Sequence, residues 1–131
     1  MSRLTLMNDR FAVCRLATGS EVPAWATGGG FVSLTRTADE FSVVCGEEAV
    51  PQGIQSERGW RILQMAGPLD FALTGVLVSI TRPLADAGVS IFAVSTYNTD
   101  YVMVKEDRLS DAIRALEAAG HHVEAATPGG Y

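Results

Sequence analysis

The chain has 131 residues, 47% of them hydrophobic and 19% charged, a globular composition that is too apolar for a disordered chain. Fifteen acidic against ten basic residues give a net charge of -5, and no lysine–arginine cluster exists beyond Arg58 and Arg61, which excludes the electrostatic footprint of a nucleic-acid or anionic-membrane binder. No apolar run approaches the length of a membrane span and residues 1–10 lack the apolar core of a secretory signal, so a cytoplasmic protein is expected.

In chain order, Phe11–Leu16 reads as a strand, Glu21–Trp25 leaves room for one helical turn at most, and Gly28–Gly30 is a loop. Phe31–Arg36 and Glu40–Cys45 form a hairpin across Thr37–Asp39. A short turn around Glu47–Val50 stands where a second helix would be, and Trp60–Met65 closes the half. With so little helix, this first sheet needs a cover from the second half or from another subunit. Gly67 and Pro68 form the hinge into that second half.

There the order repeats more fully, with Phe71–Thr74 as the first strand. Val76, Leu77, Ile80, Leu84 and Ala87 recur three and four apart, one face of a helix that Thr74 or Gly75 starts and Gly88 ends. Pro83 has no N–H for the Ser79 carbonyl and is expected to bend or loosen the helix. Val89–Thr96 is a largely buried strand, Asn98–Asp100 a turn, and Tyr101–Lys105 the returning strand. Ser110 caps a second helix, striped by Ile113, Leu116 and Ala119 and closed by Gly120. His121–Ala125 is the final edge strand, and residues 128–130 are a frayed tail.

Strand, helix, strand, strand, helix, strand is the split βαβ pattern, with both helices on one face of an antiparallel sheet. The expected fold is therefore α+β, two tandem ferredoxin-like βαββαβ units: residues 1–66 with eroded helices, and residues 67–131 complete.

The familiar catalytic patterns GxSxG, HExxH, CxxC, the Walker loop and GxGxxG are missing. Adjacent His121 and His122 point to opposite faces of a strand and cannot jointly hold a metal. Cys14 and Cys45 lie in apolar strands as free thiols, and Asp39, Glu40, Glu47 and Glu48 are solvated turn charges. No catalytic residue, cofactor or metal is assigned, and an enzyme is not expected.

Two segments are more informative. Asp70–Val76 ends at a helix start, where unpaired N–H groups and the dipole favour a carboxylate, and Gly75 lets a ligand approach the backbone. Ser95–Asp100 places hydroxyls, an amide, a phenol and a carboxylate beyond an apolar strand. Asp100 can pair with an ammonium or guanidinium while the helix start takes a carboxylate, the two charges of an amino acid. Capping and turn formation account for the same residues, and the residues alone leave both readings open.

Residues 75–105, GVLVSITRPLADAGVSIFAVSTYNTDYVMVK, resemble the ACT domain, a βαββαβ module that binds amino acids and controls enzymes. Residues 36–51, RTADEFSVVCGEEAVP, and 59–77, GWRILQMAGPLDFALTGVL, resemble small bacterial tandem ACT proteins similar to the ACT domains of the animal cytosolic arginine sensor. The resemblance implies a ligand site built from Leu73, Thr74, Gly75 and Val76 in the loop. To these it adds Phe92, Val94, Ser95, Thr96 and Tyr97 on the neighbouring strand, with Asp100 close by. Val44–Glu48 is a looser candidate for a facing wall. It further implies a homodimer, a regulated protein partner and one kind of site per chain, since the first half lacks its helix. The alternative is a ligand-free interaction or oligomerisation module.

Overall fold

Backbone pairing gathers the strands differently from a break at residue 66. The computed structural model describes residues 2–66 and 75–126, and the chain divides into two units, Asp9–Trp60 and residues 1–8 together with 61–130. The difference comes from a strand the sequence does not announce. In β1 (Arg3–Leu6) only Leu4 is fully buried, too short and mixed a pattern to stand out. It nevertheless pairs antiparallel with β5 (Ser56–Met65) and parallel with β8 (His122–Ala125), Leu4 facing Met65 on one side and Val123 on the other.

In the first unit β2 (Phe11–Leu16) lies between β4 (Phe41–Gly46) and the start of β5, with β3 (Ser33–Arg36) beyond β4. Every neighbouring pair is antiparallel. That is the strand order of a split βαβ unit whose crossover helices have shrunk to 3-10 turns at Ala24–Ala26 and Glu47–Ala49. Pro23 and the run Gly28–Gly30 leave the first crossover no helical window. Cys14 faces Val43 and Ala12 faces Cys45, so one sheet face carries all four into a core with Phe41, Ala26 and Val50. Arg36, opposite Phe41, holds its guanidinium 4.1 Å from the ring centroid. Arg58 donates to the Glu47 and Val50 carbonyls at 3.0 and 3.3 Å, while the Glu47 carboxylate accepts the Gly59 N–H at 2.8 Å. The turn at residues 47–49 is thereby fastened to β5.

The second unit orders its strands β6 (Phe92–Ser95), β7 (Asp100–Lys105), β5, β1, β8. Helices α1 (Val76–Asp86) and α2 (Leu109–Ala118) bury Ile80, Leu84, Ala112 and Leu116 in one cluster with Leu4, Leu63, Met65, Val102 and Val104, so both cover the same face. Arg61 donates to the Met7 carbonyl at 3.0 Å and pairs with Glu106 at 3.4 Å. Gly88 and Gly120 end the helices with φ of 74° and 95°, and the N–H groups of Val89 and His121 reach back to Leu84 and Leu116 at 2.9 and 3.0 Å.

Ser110 does not cap α2. A 3-10 turn, Glu106–Arg108, runs straight into the helix, which leaves Ser110 exposed in the first turn and Arg108 as the N-cap. The Arg108 guanidinium instead donates to the Gly88 and Ala87 carbonyls at 3.1 and 3.2 Å and to Asp111 at 3.1 Å, closing the end of α1. The expected strand Phe71–Thr74, the hinge Gly67–Pro68 and the tail 128–130 lie outside the described residues. In the sheet, β5 pairs with β7 and precedes α1, the place of a first strand.

Cys14 and Cys45 are free and buried. Burial pushes both thiols up; for Cys45 the neighbouring Cys14 adds to it and the value reaches about 11, while the Arg58 charge offsets part of the rise in each. A thiol raised above its unfolded value of 9.0 contributes stability that is intact below that pH and lost as pH climbs toward about 11. Urea midpoints should therefore fall more steeply between pH 8 and 11 for the wild type than for Cys45→Ala; equal slopes would contradict this. In the second core, Leu84→Ala should cost about 3 kcal/mol in the same titration at pH 7.5.

Candidate functional site

Helix α1 starts on a left-handed glycine. Gly75 has φ of 77°, and its carbonyl accepts the first helical bond, from the Ser79 N–H at 2.9 Å. The amides of residues 76–78 consequently have no acceptor inside the helix, and no acidic side chain stands in its first turn. Such a start favours an anion. A Cβ built on exposed Gly75 would meet no described atom within 4 Å. Val76 contributes backbone only, because its side chain packs onto the core.

The polar segment after β6 folds back on itself. Ser95 faces Asp100 across the ladder, and its hydroxyl donates to Asp100 Oδ1 at 2.5 Å. The Thr96 N–H and hydroxyl both reach the Thr99 carbonyl, at 2.8 and 3.1 Å. Tyr97 at the tip is 82% exposed, whereas Phe92 and Val94 are half-buried along β6. Turn formation is thus satisfied by these residues, and Asp100 still presents a half-buried carboxylate.

Thr99, in sequence one of the hydroxyls of the turn, is the residue that positions it. It is 5% exposed, and its hydroxyl donates to the Met65 carbonyl at the end of β5, 3.0 Å away. A threonine between asparagine and aspartate looks like ordinary turn chemistry, so its long-range partner leaves no mark in the sequence. The bond seats the hairpin tip against the end of β5. Gly75 and Ser95–Asp100 belong to the same unit. Leu73 and Thr74 lie outside the described residues. Val44 and Cys45 are buried in the first unit's sheet, and Glu47 is engaged with Gly59.

Chemically, the unit offers donors to an anion at the start of α1 and a carboxylate to a cation at Asp100. Among the described residues no group of His, Cys, Asp and Glu is disposed to hold a metal, and no helix is long and apolar enough to cross a membrane.

A family profile for the ACT domain matches residues 55–118, and a second profile, for an N-terminal domain, matches residues 9–53. A solved structure of a protein from Agrobacterium tumefaciens is 37% identical with a TM-score of 0.91, over 96% of this chain and 94% of that one. Among curated proteins, the cytosolic arginine sensor for mTORC1 subunit 1 of Bos taurus is 32% identical over 97 residues, 66% of this chain. The match spans only 30% of that relative's length. The regulatory subunit of aspartate kinase from Thermus thermophilus superposes with a TM-score of 0.61 at 13% identity, covering 92% of this chain and 97% of that one, a likeness of fold alone. The fold is α+β, of the ACT, ferredoxin-like type.

Thr99→Val removes the donor from the Met65 carbonyl and should cost about 1–2 kcal/mol in urea unfolding. Ser95→Ala, at an exposed position, should cost less than half as much.

Proposed function

Residues 55–118 match the ACT domain family, and on that premise we propose that the chain is a non-catalytic regulatory or sensor module for a small polar metabolite, an amino acid. The observation that supports this reading is the anion-favouring start of α1, in the same unit as the Asp100 carboxylate. The backbone from Leu73 through Thr74, Gly75 and Val76 takes the ligand carboxylate. Asp100 takes a cationic group, releasing Ser95 to bond the ligand. Phe92, Val94, Thr96 and Tyr97 line the approach. Residues 9–60, which keep the strand order with turns in place of helices, are a degenerate second ACT-like unit that holds no ligand of its own. The module works in the cytoplasm as a homodimer and acts on a partner protein. The animal relatives are named as cytosolic arginine sensors, which puts arginine first among the ligands to try.

Calorimetry and thermal unfolding with each of the twenty amino acids test this. A ligand with a Kd of about 10 µM should add about 2.7 kcal/mol of stability at 1 mM. Asp100→Asn should weaken a cationic ligand at least about tenfold, the loss of one charged hydrogen bond. Silence from all twenty at millimolar concentration would overturn the reading. The self-bonded turn at Ser95, Thr96, Thr99 and Asp100 favours a second one, a module that docks or oligomerises without ligand. Sedimentation and affinity capture decide it, and a monomer without partners would dismiss it.

A further inference from the structure

Pro83 leaves a gap in the hydrogen-bond ladder of α1, and the structure fills it from outside the helix. Without an N–H at position 83, the Ser79 carbonyl has no donor one turn on. The imidazole of His121 lies against it, Nε2 2.8 Å from the Ser79 oxygen. A carbonyl only accepts, so Nε2 carries the hydrogen. The other ring nitrogen, Nδ1, lies 3.0 Å from the backbone N of Ser2, which only donates. The two bonds are compatible with one form of the ring, the neutral Nε2–H tautomer.

His121 is 7% exposed, and its place is set by the backbone on both sides. Left-handed Gly120 turns the chain out of α2, and the next N–H, of His122, donates to the Ser2 carbonyl at 2.9 Å as β8 begins beside β1. His122 is exposed on the opposite side, so the two adjacent histidines divide between surface and interior. A buried imidazole therefore joins Ser2, the residue just before the N-terminal strand, to the middle of a helix that a proline has opened.

We propose that Pro83 and His121 form a clasp through which the N-terminal strand straps down helix α1. An uninterrupted helix satisfies its own carbonyls and can move as a separate body. Here one carbonyl bonds a ring that also holds Ser2, so peeling β1 from β5 and β8 loosens α1 as well. The clasp stands whether or not a ligand binds near Gly75.

Long-range proton–nitrogen NMR of the full chain reads the ring directly. The pattern expected for His121 is a fixed Nε2–H tautomer beside a tautomerically averaged His122. An Nδ1–H or averaged His121 would overturn the clasp, and this measurement needs no variant that must fold. Thermal unfolding supplies the second test. His121→Ala should lower Tm by about 5 °C, as loss of a partner for a buried carbonyl does. In a Pro83→Ala background, where the residue-83 N–H takes over the Ser79 carbonyl, the same change should lower Tm by less than half as much. Equal losses in both backgrounds would overturn the proposal. Ser2→Pro deletes the donor at the other end, and should accelerate hydrogen exchange of the α1 amides at least about tenfold. Unchanged α1 exchange would show that β1 does not hold the helix.

Discussion

A strand in a sheet must place its N–H and C=O groups on both flanks or leave them to water, and the four residues of β1 do this for two neighbours at once. By bonding β5 on one side and β8 on the other, β1 makes β5 an interior strand of the second unit. The end of β5 then carries the Met65 carbonyl on which the Thr99 hydroxyl seats the β6–β7 hairpin. The position of the polar turn thus follows from a backbone pairing made near the start of the chain. A split βαβ unit ordinarily closes by pairing its fourth strand with its first; here a segment from the far end of the sequence stands between them.

Helix survives in one unit and disappears from the other for reasons visible in the residues. Ile80 and Leu84 on α1, and Ala112 and Leu116 on α2, repeat at helical spacing and enter a common core, which offsets the entropy of ordering the segments. The first unit offers no such stripe between β2 and β3, where Pro23 and four glycines intervene. Its turns place single residues, Ala26 and Val50, over the sheet instead. Its small core also encloses two thiols.

Patterns with short sequence range were legible: both helices, their glycine stops, and the hairpins Ser33–Arg36 with Phe41–Gly46 and Phe92–Ser95 with Asp100–Lys105. Less legible was anything fixed by a distant partner. Arg3–Leu6 alternates weakly and is a strand because β5 and β8 flank it. Ser110 has the chemistry of a cap, but Arg108 holds that position and bonds across to Ala87 and Gly88. At the candidate site, the chemistry of Ser95–Asp100 could be read from composition, but the Ser95–Asp100 bond and the role of Thr99 could not. Those depend on the ladder register and on a carbonyl 34 positions away.

Arg108 has an electrostatic corollary. Its guanidinium sits on the last carbonyls of α1 and cancels much of the negative pole there, although the last turn of that helix holds no basic residue of its own. The opposite pole, at Gly75, has no acidic side chain in its first turn to cancel it. Among the described residues the helix is thus neutralised at one terminus only, and acts toward its surroundings less as a dipole than as a single fractional positive charge. Such a monopole decays more slowly with distance than the pair it came from, and its reach shortens as ionic strength rises.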